Sequence, residues 1–292
     1  MRTAAASAVL CAVLACAAAA APFDGAKVER LTGLKGSWDA QGEVFKVTYP
    51  RSDIDATVAG VKAVPAMGLT AWAAFTKAGK GVMVMGDLVL LQDQVNPVMS
   101  AALDHGLQVT ALHNHFMWDS PRIMFMHVAG RGGVDALARS VGAVFAEIMA
   151  TAGGKGETPD LALDPAQGTL DASALDAALG AKGGLKGGVY KVSFGRRTRM
   201  GGLAVGGAMG VGSWAAFMGS PAKAVVDGDI AMHEAELQGV LKALRRAGID
   251  VVAIHTHMTG ERPRILFLHY WGVGPAPDLA KGLKAALAEL KS

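Results

Sequence analysis

Apolar residues recur along the chain with two different spacings, one typical of strands and the other of helices. Residues 43–49 alternate between apolar and polar side chains and predict a strand with one buried face. Residues 93–105 carry an apolar stripe at helical spacing and predict a helix that ends at Gly106. The other apolar segments predict strands at 70–75, 82–85, 107–116 and 122–128 and a closing amphipathic helix at 134–150.

This pattern occurs twice in the chain. His113-Asn-His115 returns as His255-Thr-His257, 142 positions later (255 − 113), and the same spacing relates residues 68–130 to 210–272 without a gap. Each copy predicts a β-β-β-α-β-β-α unit, so we expect an α+β fold made by internal duplication, with helices covering antiparallel sheets. The expected domains are a first repeat at 28–150, a linker at 151–172 and a second repeat at 173–292.

Residues 1–21 have the composition of an export signal. Arg2 precedes a run rich in Ala, Val and Leu that ends in small residues. Both cysteines, Cys11 and Cys16, lie in this segment, so the rest of the chain has neither a disulfide nor a cysteine-ligated metal. We therefore expect an exported, periplasmic protein. A lipid anchor on Cys16, which follows Val13-Leu-Ala, is an alternative to simple cleavage of the signal.

Charge and hydropathy narrow the classes of partner. The net charge of +3 is too small to predict binding to nucleic acid, and the basic residues form no stripe with interleaved aromatic residues. After the signal segment, no apolar run is long enough to predict a transmembrane helix. The expected partner is a small molecule or a component of the cell envelope.

The histidines carry the strongest functional signal. Six of the eight belong to two copies of one set: His113, His115 and His127 in the first repeat, and His255, His257 and His269 in the second. Histidines two positions apart on a strand point to the same face. A tight hairpin would bring His127 opposite residue 111, within reach of His113. Three neutral imidazoles with an open position predict a transition-metal site, with Zn²⁺ favoured and Cu²⁺ or Fe²⁺ also compatible.

Acidic residues on the preceding helix distinguish the two copies. Glu236 is the candidate for a fourth ligand, and Glu236 or Glu234 could act as the catalytic base of a metal-dependent hydrolysis. The first repeat has Gln94 and Gln92 at the matching positions, and glutamine is a weak ligand that cannot act as a base. The second repeat is therefore predicted to hold the better site.

Other repeated polar residues have a functional and a structural interpretation. Arg122 and Arg264 are candidates for binding a substrate carboxylate or phosphate, or they could pair with the acidic residues three positions before them. Asp87 and Asp229 each follow a glycine, and we assign them to turns that end the preceding strands.

Four alternatives to a metal site remain open. The histidines could act directly in acid–base chemistry or anion binding, or they could be structural. A metal-free enzyme similar to the two-histidine phosphoesterases, which carry one His-x-Thr motif in each half, is a weak match, because the first copy reads His113-Asn-His115 and has no threonine there. A non-catalytic cell-envelope module with histidines in a ligand pocket is the other reading.

Several phrases of the second repeat resemble the LppY/LpqO family of exported bacterial proteins, a domain of unknown function. They are Val226-Asp-Gly-Asp229, the strand Val251-Val-Ala-Ile-His-Thr-His-Met258 and the strand end Phe267-Leu-His269-Tyr-Trp-Gly272. The resemblance covers nearly the whole chain after the signal segment. It implies export, sometimes with a lipid anchor, and it supplies no activity. The family pattern has His-Asn-His in both copies and Glu at position 94, so this chain departs from it at Thr256 and Gln94.

Overall fold

The computed structural model describes residues 23–39, 41–152 and 161–291. The predicted export signal, including Cys16, lies outside the described residues. Within the described part of the chain, no helix combines the length and apolar character needed to cross a membrane.

The first repeat contains every element that the hydrophobic pattern predicts. Its helices are α1 (Gly25–Thr32), α2 (Val95–Asp104) and α3 (Val134–Ala150). Its strands are β1 (Gly36–Asp39), β2 (Val44–Pro50), β3 (Thr57–Val58), β4 (Val61–Lys62), β5 (Thr70–Ala78), β6 (Gly81–Leu91), β7 (Gln108–His113), β8 (Asp119–Ser120) and β9 (Ile123–Gly132). The predicted unit corresponds to β2, β5, β6, α2, β7, β9 and α3.

The second repeat follows the same order. Its helices are α4 (Ala172–Leu179), α5 (Leu237–Arg246) and α6 (Ala276–Ala288), and a 3-10 turn (Glu234–Glu236) precedes α5. Its strands are β10 (Gly184–Lys186), β11 (Val189–Gly195), β12 (Thr198–Met200), β13 (Leu203–Val205), β14 (Gly212–Gly219), β15 (Ala224–His233), β16 (Asp250–His255) and β17 (Ile265–Gly274). The duplicated α+β fold is thereby confirmed.

Both repeats share one antiparallel sheet of twelve strands. Its order is β1-β2-β5-β6-β9-β7-β16-β17-β15-β14-β11-β10. Helices cover one face: a Cβ on Gly130 would meet Leu137 of α3, and a Cβ on Gly272 would meet Leu279 of α6. The apolar core lies between this face and the helices. The opposite face carries both histidine sets.

The assignment of Asp87 and Asp229 to turns is wrong. Strands β6 and β15 continue through both residues. The glycines before them serve close packing instead of a turn: a Cβ on Gly86 would lie 2.9 Å from the carbonyl oxygen of Trp72, and one on Gly228 would collide with Tyr270. Each aspartate therefore projects from the middle of a sheet.

The predicted strand 107–116 is also too long. Strand β7 ends at His113 and β16 ends at His255, so His115 and His257 lie in the connections that follow.

Reciprocal side-chain bonds join the two repeats at the centre of the sheet. Leu112 of β7 pairs with Ile254 of β16. The amide of Gln238 accepts from the backbone nitrogen of Val109 at 3.1 Å and donates to its carbonyl at 2.8 Å. Asn96, which corresponds to Gln238, makes the same pair of bonds with Val251. Side-chain amides thus complete the junction where backbone pairing is short.

Replacing Gln238 with alanine should destabilise the protein by about 1–3 kcal/mol, because the buried peptide groups of Val109 lose their partners. Urea unfolding measures the effect, and Gln167→Ala, at an exposed glutamine, is the control. Equal unfolding midpoints for the two variants would show that the amide bonds contribute nothing to the junction.

Candidate metal centre

The strand register brings the third histidine of each set to the other two. His127 pairs with Ala111, as predicted, and His269 pairs with Ala253. Alternation along β7 and β9 places His113 and His127 on the same face, diagonal to one another. The His113 and His127 rings stack with their centroids 5.1 Å apart.

In the second repeat, three ligand atoms converge. The Nε2 atoms of His255 and His257 are 3.1 Å apart, and Nε2 of His257 lies 3.3 Å from Oδ2 of Asp229. All three ligand atoms lie within 4.8 Å of one another. Two ligands at 2.0–2.1 Å from a tetrahedral ion are separated by about 3.3 Å. The spacing of these atoms therefore suits one bound transition metal.

Asp229 is the candidate ligand that sequence reasoning missed. Its side chain is only 2% exposed, and Oδ1 accepts a hydrogen bond from the backbone nitrogen of Leu268 at 3.1 Å. This bond orients the carboxylate and leaves Oδ2 directed toward His257. The signal was present in the sequence, because Asp87 and Asp229 occupy matching positions in the two repeats.

Backbone carbonyls orient two of the imidazoles. Nδ1 of His257 lies 3.3 Å from the oxygen of Gly210, and Nδ1 of His269 lies 3.2 Å from the oxygen of Gly228. A carbonyl oxygen only accepts, so in each ring Nδ1 carries the proton. Neutral His257 then presents the lone pair of Nε2 to the carboxylate of Asp229. Two acceptors face each other, and either a cation between them or a second ring proton must resolve this contact.

The environment of His255 favours its neutral form. Burial lowers the pKa of His255, and this effect outweighs the opposing charge of Asp229. Its ring stacks on His269 with centroids 4.6 Å apart, while His257 stacks on Phe267 at 3.4 Å. A neutral imidazole keeps the lone pair that a metal requires, and the stacked rings restrict its rotation.

An open cleft adjoins the second-repeat cluster. It has a volume of about 290 Å³, and Asp229 and His257 form part of its wall. Trp214 also lines it, with the ammonium of Lys191 4.5 Å from the indole centroid. A ligand in this cleft would reach the cluster from solvent.

The first repeat arranges its residues differently. Nε2 of His127 lies 3.0 Å from Nε2 of His113 and 3.9 Å from Oδ1 of Asp87. His115 stacks on Phe125 with centroids 3.4 Å apart, as its counterpart His257 stacks on Phe267. The close imidazole pair therefore comes from two neighbouring strands in the first repeat, and from one strand end in the second.

The comparison with known families matches both repeats. A family described as Domain of Unknown Function (DUF1259) matches residues 26–147 and 173–289, and each match contains one histidine set. The chain belongs to this family. The match supports a tandem, uncharacterised domain and does not carry the narrower LppY/LpqO name. Searches of curated proteins and of solved structures found no match.

Outside the histidine cluster of this DUF1259 chain, Glu236 pairs with an arginine. Both of its oxygens accept from Nη2 of Arg196, at 2.9 and 2.8 Å, and they also accept from the backbone nitrogens of His233 and Lys291. Burial would raise the pKa of Glu236, but these hydrogen bonds outweigh burial and lower it. With its oxygens already engaged, Glu236 is left out of our ligand set.

Arg51, which corresponds to Arg196, explains why the first repeat has Gln94 where the second has Glu236. Arg51 is fully buried and binds Asp53 through Nε and Nη2, at 2.9 and 2.8 Å, and Gln94 through Nη2 at 3.0 Å. Asp53 supplies the negative charge that Glu236 supplies to Arg196. The Glu/Gln difference between the repeats is therefore accounted for by the pairing of these arginines.

The other predicted residues lie apart from the histidines. Glu234 and Arg264 line a separate cleft of about 570 Å³, together with Gln108 and Thr110 at the repeat junction. Arg122 and Arg264 are exposed. Each lies five positions before the third histidine of its repeat, an odd spacing that in a regular strand places the two side chains on opposite faces.

The acidic residues that precede these arginines contact the backbone. Asp119 accepts from the backbone nitrogen of Ile123 at 2.6 Å, and Glu261 accepts from that of Ile265 at 3.1 Å. Each carboxylate therefore anchors the start of a returning strand.

Replacing Glu236 with glutamine should destabilise the protein by about 1.5–3 kcal/mol, because Arg196 loses a charged partner. Metal affinity should stay unchanged. Urea unfolding and a zinc titration measure the two effects. Loss of zinc binding without loss of stability would instead make Glu236 a ligand.

The stability gap between the wild type and Glu236→Gln should narrow in acid. The folded pKa of Glu236 is depressed, so its contribution is complete above the unfolded value of about 4.3 and is lost as pH falls through the folded value. Urea midpoints measured from pH 7 to pH 3 test this expectation. A constant gap would contradict it.

Proposed function

We propose that the second repeat binds a divalent transition metal through Asp229, His255 and His257. The observation that carries this proposal is the convergence of two imidazole nitrogens and a carboxylate oxygen at the spacing of metal ligands. Zn²⁺ fits two nitrogens and one oxygen, and Cu²⁺ or Fe²⁺ would also accept them. His269 supports the set by stacking on His255.

The cleft beside the cluster gives the centre a role beyond structure. A structural zinc site is closed by four protein ligands, whereas a catalytic or ligand-binding site keeps one position open. Here two of the three proposed ligands, Asp229 and His257, line a cleft of about 290 Å³, and only three protein ligands are proposed. We infer that a small molecule enters this cleft and reaches the ion, which would act as a Lewis acid toward it in binding or in hydrolysis. Lys191 and Ser193 line the same cleft and would contact that molecule.

Export remains part of the proposal. It rests on the N-terminal sequence, where Arg2 precedes an apolar run that ends in small residues. A periplasmic protein would meet metal ions and small molecules from outside the cell. Localisation of a tagged full-length chain by cell fractionation tests this part separately.

Removing the ligands should remove the metal. Protein purified without an affinity tag and then stripped should regain zinc and a higher Tm when Zn²⁺ is added, because an ion that binds only the folded state stabilises it. At a concentration of 100 times Kd, the gain is about 2.7 kcal/mol. Asp229→Asn and His255→Ala/His257→Ala should weaken binding at this centre by more than about 100-fold, beyond the range for outer-shell partners.

His105→Ala is the matched control, because His105 is an exposed histidine at the end of α2. Its metal content should equal that of the wild type. If Zn²⁺, Cu²⁺ and Fe²⁺ bind the wild type no better than the His255→Ala/His257→Ala variant, the second-repeat centre does not exist. The contact between His257 and Asp229 would then be a proton-mediated ion pair.

A further inference from the structure

Asp87 in the first repeat carries an unpaired buried oxygen. Its Oδ1 is inaccessible to solvent and has no hydrogen-bond partner among the described residues, and it lies 3.9 Å from Nε2 of His127. A buried carboxylate without a partner is costly, so native structures satisfy such groups with a donor, a water or a cation. The matching carboxylate, Asp229, already bonds to a backbone nitrogen through Oδ1. Asp87 therefore lacks a partner that its counterpart has.

Two imidazole nitrogens follow this oxygen in a row. Nε2 of His127 lies between Oδ1 of Asp87, at 3.9 Å, and Nε2 of His113, at 3.0 Å. The strand register fixes this arrangement, since Asp87 pairs with His127 and His127 pairs with Ala111. The side chain of Asp87 is 16% exposed and that of His127 is 36% exposed, so the cluster is reachable from the open face.

We propose that the first repeat holds a second metal centre, in which Asp87, His113 and His127 bind one divalent transition metal. Each set combines an aspartate with two histidines. In the first repeat the histidine beside the aspartate is His127, from β9, whereas in the second repeat it is His257, which follows the end of β16. A cation here would satisfy Oδ1 of Asp87. A movement of the aspartate toward His127 would bring 3.9 Å to the roughly 3.3 Å that a tetrahedral ion requires.

The two centres would lie on one face, on either side of the repeat junction. Leu112 pairs with Ile254, and both point to the helix-covered core. The next residues, His113 and His255, therefore project from neighbouring strands onto the open face, diagonal to one another. Neither centre needs a ligand from the other, so the first-repeat centre stands or falls independently of the second.

Metal stoichiometry separates the two centres. Stripped protein is titrated with Zn²⁺ and, in a second series, with Cu²⁺, in the wild type, in Asp229→Asn/His255→Ala/His257→Ala, and in that variant with His113→Ala/His127→Ala added. We expect two equivalents, one equivalent and none. If the triple variant binds none, the first-repeat centre is refuted. If the triple variant still binds one equivalent of metal after His113→Ala and His127→Ala are added, His113 and His127 are not the ligands of that centre. Wild type and triple variant with equal stoichiometry would instead refute the second-repeat centre.

Asp87→Asn provides a test that does not depend on a multiple variant folding well. Removing an unpaired buried charge should raise the Tm of the metal-free protein, while the added stabilisation by zinc should shrink and first-centre affinity should fall at least tenfold. If Asp87 has only a structural role, the substitution should lower the Tm of both the metal-free and the zinc-bound protein and leave the zinc-induced shift unchanged. That result would overturn the proposal.

Discussion

The register of three neighbouring strands is the constraint on which the candidate centre depends. Asp229 pairs with His269 and His269 pairs with Ala253, so the carboxylate, His269 and His255, which is two residues after Ala253, project from one face. A slip of one residue would turn all of them toward the helices. Burial of the opposite face prevents that slip, because Leu268 and its apolar neighbours pack in the core. Packing on one face of the sheet therefore decides the chemistry of the other.

Duplication turns this local constraint into a single surface with two histidine sets. The amides of Asn96 and Gln238 bind the backbones of Val251 and Val109, and these reciprocal bonds fix the repeats to one another. The sets are positioned by a shared sheet and not by the linker alone. Each set still lies beside the carboxylate of its own repeat, so the two geometries could diverge.

The repeats also diverged around two matching arginines, the fully buried Arg51 and the mostly buried Arg196, and this change resembles a functional one when only the sequence is read. Arg51 donates hydrogen bonds to the carboxylate of Asp53 and to the neutral amide of Gln94, whereas Arg196 donates to the carboxylate of Glu236. The requirement in both repeats is one negative charge for a guanidinium held out of water. Different residues meet that requirement, so a glutamate present in only one copy was no evidence of a metal ligand.

Apolar periodicity and hairpin geometry are local properties, so the order of residues was enough to predict the duplication, the α+β class and the pairing of His127 with Ala111. Only the tertiary structure showed that Asp229 belongs with His257 and that Glu236 does not, since those contacts join residues that are distant in the chain. Gly228 illustrates the reason. A glycine before an aspartate is typical of a turn, but here a close contact with Tyr270 requires it within a strand. Local preference could not reveal that long-range contact.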